Sequence, residues 1–188
     1  MIGYLKIHLR RGHMENNDIL IRLRYALDIK DTDMIKIFKM GGIAVTREEL
    51  QTMLLKSKDN KAADSVEEKS ASDENSNPCD NYTLESFLNG FIIFKRGKQE
   101  SKSGESEKQA FMIKDSRTVN NVFLKKVKIA LSLTSEDMLD IFNTAGINLS
   151  NSELSAVLRR EGQRNYRVCG DKYAKCFLKG LASRYRER

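Results

Sequence analysis

The sequence predicts an all-α protein of two tandem, homologous four-helix units related by internal duplication. Three observations support this. The phrase DMIKIFKMGGIAVTREEL at 33–50 returns at 137–154 as DMLDIFNTAGINLSNSEL, and self-similarity at a long fixed shift marks a repeated structural unit. Apolar residues recur at three- and four-residue spacings, the period of a helix with one buried face. The 188 residues contain a single proline, so little in the chain interrupts helices.

A shift of 104 residues aligns 16–54 with 120–158 without a gap, the identities including Asn16/Asn120, Asn17/Asn121, Phe38/Phe142, Gly42/Gly146 and Leu50/Leu154. A second block matches at a shift of 90, with Cys79/Cys169, Phe87/Phe177 and Gly90/Gly180, so the first copy carries fourteen extra residues.

Residues 1–13 read as a leader or expression-derived segment, disordered, with Met14 as the natural start: Arg10-Arg11 fits a purine-rich ribosome-binding sequence just upstream. Both histidines of the chain, His8 and His13, fall there. The first repeat spans 14–97. Ile19, Leu20, Leu23, Ala26 and Leu27 form the apolar face of its first helix. Asp31, matched by Ser135, is expected to cap the second helix, whose apolar positions are Met34, Ile37 and Phe38. Gly42 and Gly146 stand where a left-handed residue ends that helix, with Ile43 and Ile147 supplying the apolar contact. Thr46 and Ser150 cap the third helix, and Glu49 and Glu153 complete capping boxes.

An insertion at about 57–78 is polar and acidic, and such a composition cannot offset the entropy of ordering, so a flexible loop is expected. The fourth helix follows Asn81 in one copy and Asp171 in the other, both suited to capping. Its apolar positions are Leu84, Phe87, Leu88, Phe91 and Phe94 against Ala174, Phe177, Leu178, Leu181 and Tyr185. Gly90 and Gly180 fall mid-helix, where glycine costs about 1 kcal/mol. Incurring that cost twice at one place implies a close helix crossing. A linker at 98–116 leads to the second repeat, 117–188.

The stretches NNDILIRLRYAL, DMIKIF, VTREE and FLNGFIIFKRGK, with NYRVCGDKYAKCFLKGLA in the second copy, resemble the YehS-like conserved bacterial family, a duplicated helical domain of unknown function. The resemblance covers 15–188 apart from the two loops. It implies a small cytoplasmic bacterial protein with two like helical units, and no reaction, cofactor or catalytic residue. The first copy departs from the second in having Asn81 for Asp171 and no NYR before its cysteine.

Chemistry is constrained by what the chain lacks. A serine or cysteine nucleophile needs a base to activate it, and histidine is confined to residues 1–13. Cys79 and Cys169 have two readings, a reactive or metal-binding thiol and a small apolar plug at a helix entrance; the habit of free cysteine to lie buried favours the plug. Three cysteines without a C-x-x-C spacing do not make a four-thiolate zinc site, and an odd count argues for a reducing cytoplasm. Asp33, Asp137, Glu49 and Glu153 fall in first helical turns, where negative charge complements the helix dipole. No phosphate-binding glycine loop occurs, and no apolar run spans a bilayer. The expectation is therefore no enzyme, no cofactor and no metal.

Basic charge is the remaining signal. The net charge is +7, and 159–188 alone holds ten Lys or Arg against three acids. The expected nucleic-acid-binding residues are Arg159, Arg160, Arg164, Tyr166, Arg167, Arg184 and Arg186, with Lys95 and Arg96 at the matching end of copy one. Arginine neutralises phosphate and tyrosine stacks on bases, whereas a charge run is more often a solvated face. Arg22 and Arg24, matched by Lys126 and Lys128, flank an apolar face and are expected to snorkel over it. The corner between the second and third helices is helix-turn-helix-like, but its third helix leads outward with Arg47, Glu48 and Gln51, and an acid there disfavours duplex readout. The expected function is a non-catalytic binding protein for RNA or DNA. The alternative is a protein-binding adaptor, or homodimer, using an apolar groove between the repeats.

Overall fold

The structure, a computed structural model, describes residues 14–55, 79–97 and 111–186. The expected leader at 1–13, the acidic loop at 57–78 and the greater part of the linker lie outside the described residues. The described chain is all-helical: α1 (Asn16–Ala26), α2 (Asp31–Met40), α3 (Arg47–Met53), α4 (Asn81–Arg96), α5 (Val119–Ala130), α6 (Ser135–Thr144), α7 (Asn151–Leu158) and α8 (Asp171–Tyr185). The helices fall in two sets of four, as the duplication requires.

Inside each set the repeated residues act as folding signals. Gly42 and Gly146 take φ of +92° and +84°. The amides of Ile43 and Ile147 reach back to the Phe38 and Phe142 carbonyls at 3.0 and 2.9 Å, closing Schellman motifs. Thr46 with Glu49 and Ser150 with Glu153 form reciprocal capping boxes. Other expected caps move by one residue. Thr134, not Ser135, caps α6 with Asp137; in the first copy Lys30 stands at that place and caps nothing, while Asp31 accepts from Arg24 at 2.6 Å. Asp80 caps α4 through the Thr83 amide, and Gly170 precedes α8. Asn81 and Asp171 are then first helical residues, and their side chains accept bonds from Asn16 and from Asn120 and Met14.

The mid-helix glycines sit at close crossings. A Cβ on Gly90 would stand 1.8 Å from the Ile37 carbonyl oxygen, and one on Gly180 would stand 2.0 Å from that of Ile141. Glycine thus lets α4 press onto α2, and α8 onto α6, with backbone against backbone.

The two sets exchange partners: α4 packs on α5, and α8 packs on α1. The Met14 amide donates to Asp171 Oδ2 at 3.0 Å near the start of α1 and α8. Near their ends, the Arg186 guanidinium lies 4.0 Å from the centre of the Tyr25 ring and donates to the Tyr25 carbonyl oxygen at 2.8 Å. These helices therefore run side by side in one direction. Phe38, Phe87, Phe91, Phe123, Phe142 and Phe177 are fully buried in one continuous core shared by both repeats.

The α4–α5 junction also buries charge. Glu85 and Lys126, with side chains 1% and 4% exposed, pair at 3.0 Å, and Lys126 also donates to Asn89 Oδ1. Lys126 therefore does not snorkel, because α4 covers it. Burial holds the Lys126 ammonium below its ordinary pKa, and the Glu85 carboxylate offsets part of that shift. Glu85 accepts in addition from the Met112 and Ile113 amides at 2.6 and 2.7 Å. The end of the expected linker is thereby fastened to α4. The duplication places Lys175, Lys179 and Arg22 at the equivalent positions of the α1–α8 junction, where no such pair can form; Arg22 bonds Asp18 within its own helix at 2.8 Å.

Candidate nucleic-acid interface

The basic stretch between α7 and α8 is an ordered loop, and its order begins in the sequence. Gly162 and Asn165 adopt φ of +85° and +64°, left-handed values that glycine and asparagine tolerate. They let the chain fold back so that the Arg167 amide reaches the Ala156 carbonyl at 3.1 Å. Within the loop, the Arg160 amide donates to Gln163 Oε1 at 2.9 Å, and Arg159 Nη1 donates to the Arg164 carbonyl at 2.7 Å.

Asn121 of α5 fastens this loop at both shoulders. Its Nδ2 donates to the carbonyls of Val157 and Arg167 at 2.8 and 2.7 Å, and its Oδ1 accepts from the Cys169 amide at 2.9 Å. Beside it, Asn120 Nδ2 donates to Asp171 Oδ1 and to the Cys169 carbonyl. The first repeat keeps the scheme: Asn17 accepts from the Cys79 amide at 2.8 Å, and Asn16 donates to Asn81 at 2.9 Å. The sequence comparison marks both asparagines as repeated without revealing why. The two cysteines are buried plugs beside these clamps, and burial pushes both thiols up to about 12.

Five of the nine expected residues thus share one loop. Arg159, Arg160 and Tyr166 line a pocket of about 40 Å³ together with Phe111, Lys114, Thr118, Lys125 and one acid, Glu161, room for a few waters. Among the described residues, Lys125, Arg159, Arg160, Arg164 and Arg167 have no carboxylate at ion-pair distance, whereas Lys114 stands 3.8 Å from Glu161 and Arg117 is paired with Asp115 at 2.8 Å. The Tyr166 hydroxyl is buried and finds no hydrogen-bond partner among the described residues; burial, then Glu161, raises its pKa. Tyr166 is half-buried, with its hydroxyl turned inward at the pocket.

The remaining expected residues lie at helix ends. Arg184 bonds Asp137 at 2.6 Å, and Arg186 covers Tyr25 and stands 3.7 Å from Asp28. Lys95 and Arg96 occupy the last turn of α4, with the Lys95 ammonium 5.9 Å from the Phe91 ring centre. These four are committed to fold contacts or helix termini, at the far ends of the sixteen-residue α4 and the fifteen-residue α8. Conversely, Lys114 and Phe111 join the pocket although their place in a polar linker carried no signal.

Among the described residues no group of three or more His, Cys, Asp or Glu is placed to hold a metal, and no described helix is long and apolar enough to cross a membrane. Arg167 also borders a second pocket, of about 130 Å³, with Phe142, Leu149, Val157, Val168 and Tyr173.

The family described as "Protein of unknown function (DUF1456)" matches residues 16–97 and 120–187, one match per repeat. The chain is 34% identical over 171 residues to "Uncharacterized protein YehS" of Escherichia coli (strain K12), covering 91% of this chain and 96% of that protein. No solved structure matches. The chain belongs to the DUF1456 family.

Proposed function

We propose that this family member is a non-catalytic, nucleic-acid-binding protein of the cytoplasm, acting through the basic loop of its second repeat and the pocket beneath it. The observation that carries the reading is the convergence of Arg159, Arg160 and Tyr166 with Lys125 and Lys114 on one pocket. Cations drawn from three separate stretches of sequence face one spot, against one acid of the lining, Glu161, which takes Lys114 as its partner. Unpaired arginines on an ordered loop are pre-positioned for phosphate oxygens, and one such oxygen would satisfy the orphaned Tyr166 hydroxyl. Three free thiols support the cytoplasmic address.

The direct test is a gel-shift titration of labelled RNA and DNA at about 50 mM salt, comparing the natural chain with a variant in which Arg159, Arg160, Arg164 and Arg167 are replaced by Gln. Binding that is lost in the variant supports the reading. Absence of binding by the natural chain refutes it.

A second reading, a protein-binding adaptor or homodimer, keeps one specific observation. The repeats pack on each other where an inter-repeat groove was expected. However, Val168 and Tyr173 are exposed at the rim of the apolar pocket that Phe142, Leu149 and Val157 line. A partner's apolar side chain would fit there, and such binding would change little with salt.

A further inference from the structure

We propose that the ligand of this surface is single-stranded nucleic acid, with an unpaired base stacking on the Tyr82–Phe111 pair while Lys125, Arg159 and Arg160 hold the adjoining phosphates. This rests on the nucleic-acid reading of the basic loop and specifies which form of nucleic acid it takes.

The two rings stack with centroids 4.7 Å apart and planes 23° from parallel. They remain 55% and 49% exposed, so the pair stands in water instead of in the core. Single exposed aromatics are ordinary. A stacked pair at the edge of a basic pocket is not, and Phe111 is itself one wall of that pocket with Lys125, Arg159 and Arg160.

The pair is also held in place. The two residues after Phe111, Met112 and Ile113, donate their amides to the buried Glu85 carboxylate. Tyr82 lies in the first turn of α4, three residues before Glu85. Both rings are therefore fixed relative to the same helix, which Lys126 ties to α5, the helix that also carries Lys125. The ordering entropy of the platform is spent in folding and not in binding.

The chemistry selects the strand form. In a duplex the base faces are already stacked on one another and closed to side chains. A single strand offers free faces, and every base has one, so the platform is tolerant of sequence. Arginines and a lysine beside the rings would track the backbone that joins successive bases. Tyr82 and Phe111, 55% and 49% exposed, supply such a face.

The experiment is fluorescence anisotropy of the full chain with a labelled 12-nucleotide RNA, the same sequence as single-stranded DNA, and the corresponding DNA duplex, at low salt. Tyr82→Ala and Phe111→Ala should each weaken single-strand binding by about five- to hundred-fold, without changing the salt dependence or the weaker duplex binding. Phe111→Trp should restore the affinity that Phe111→Leu does not. Circular dichroism will show these exposed substitutions to leave the fold intact. Single-strand binding unaffected by both alanine variants but reduced by Arg159→Gln and Arg160→Gln would overturn the stacking proposal and leave the nucleic-acid reading standing, as would a preference for the duplex. No binding of any strand by the natural chain would overturn both. Equal affinity for RNA and DNA is the expected result, because base faces and phosphates are common to the two. A requirement for the 2′-hydroxyl would overturn recognition by stacking and phosphate alone.

Discussion

Asn121 Oδ1 accepts the backbone N–H of Cys169 at 2.9 Å, joining the first helix of the second repeat to the entrance of its last. Asn17 makes the same bond to Cys79 at 2.8 Å. In the second repeat the same side chain also holds both shoulders of the basic loop, so one asparagine links the fold to the proposed binding surface.

Replacing Asn121 by Ala strands a buried amide and frees two carbonyls. Each lost partner costs about 1–3 kcal/mol when the group stays out of water, so Asn121→Ala should lower stability by about 3 kcal/mol in urea denaturation. Nucleic-acid affinity should fall as well, because the loop loses its anchor. Leu124→Ala on the same helix makes the comparison: it should lose stability without a separate loss of affinity in the fraction that remains folded.

The helix crossings make a second prediction. Gly90→Ala and Gly180→Ala would place a methyl group about 2 Å from a backbone oxygen, and relieving that overlap must push two helices apart. Each substitution should cost about 3 kcal/mol and lower the melting temperature. Gly170→Ala, with nothing within 4 Å of the new carbon, should cost under about 1 kcal/mol.

At the α4–α5 junction the buried ion pair predicts non-additivity. Lys126→Met leaves Glu85 buried without its cation and should cost about 3–5 kcal/mol. Glu85→Gln alone leaves the ammonium unpaired and should be similarly damaging. The double variant should cost clearly less than the sum of the two, a coupling that a double-mutant cycle will measure.

Acid stability should carry the signature of Asp137. Hydrogen bonds from the Thr134 backbone, then from Arg184 and the Thr134 hydroxyl, lower its pKa from an ordinary 3.8 to about 2. A carboxyl group with a depressed folded-state pKa adds stability above its unfolded pKa and loses it as pH falls through the folded value. The contribution is therefore complete above about pH 4 and vanishes towards pH 2. Asp137→Asn should flatten that part of the pH–stability profile, measured by chemical denaturation.

Much of the architecture was legible because it rests on local rules. The Gly42 and Gly146 turns, the Thr46 and Ser150 capping boxes and the tight crossings at Gly90 and Gly180 all follow from residue chemistry at helical spacing. Caps slipped by one residue at α4 and α6 because neighbouring polar residues, Asp80 beside Asn81 and Thr134 beside Ser135, compete for the same role, and at α8 the cap position falls to Gly170, which has no side chain. The helix-one turns were not legible either: Asp28 and Ser132 take φ of 48° and 53° without glycine.

What escaped entirely was tertiary. Nothing local says that Glu85 and Lys126 will be buried against each other, since both are surface residue types at amphipathic positions until α4 is covered by α5. The candidate site shows the same division. Charge density located the loop at 159–167, but only the fold separates it from Arg184, whose partner Asp137 lies 47 residues earlier, and from Arg186, which is spent on Tyr25. Only the fold, too, brings Lys114 and Phe111 out of a polar linker to the pocket edge.

The most direct test of the binding surface is the slope of affinity against salt. Titrating a labelled single strand with the natural chain from about 50 to 200 mM salt reports how many phosphates are neutralised, at about −0.7 in log–log slope per phosphate. Engagement of roughly three to five phosphates by Lys125 and the loop arginines predicts a slope of about −2 to −3.5, a roughly twenty- to hundred-fold loss across that range. The slope should shrink when Arg159 and Arg160 become Gln. An affinity that ignores salt, or no binding at the lowest concentration, would contradict the account and return the basic loop to an ordinary solvated surface.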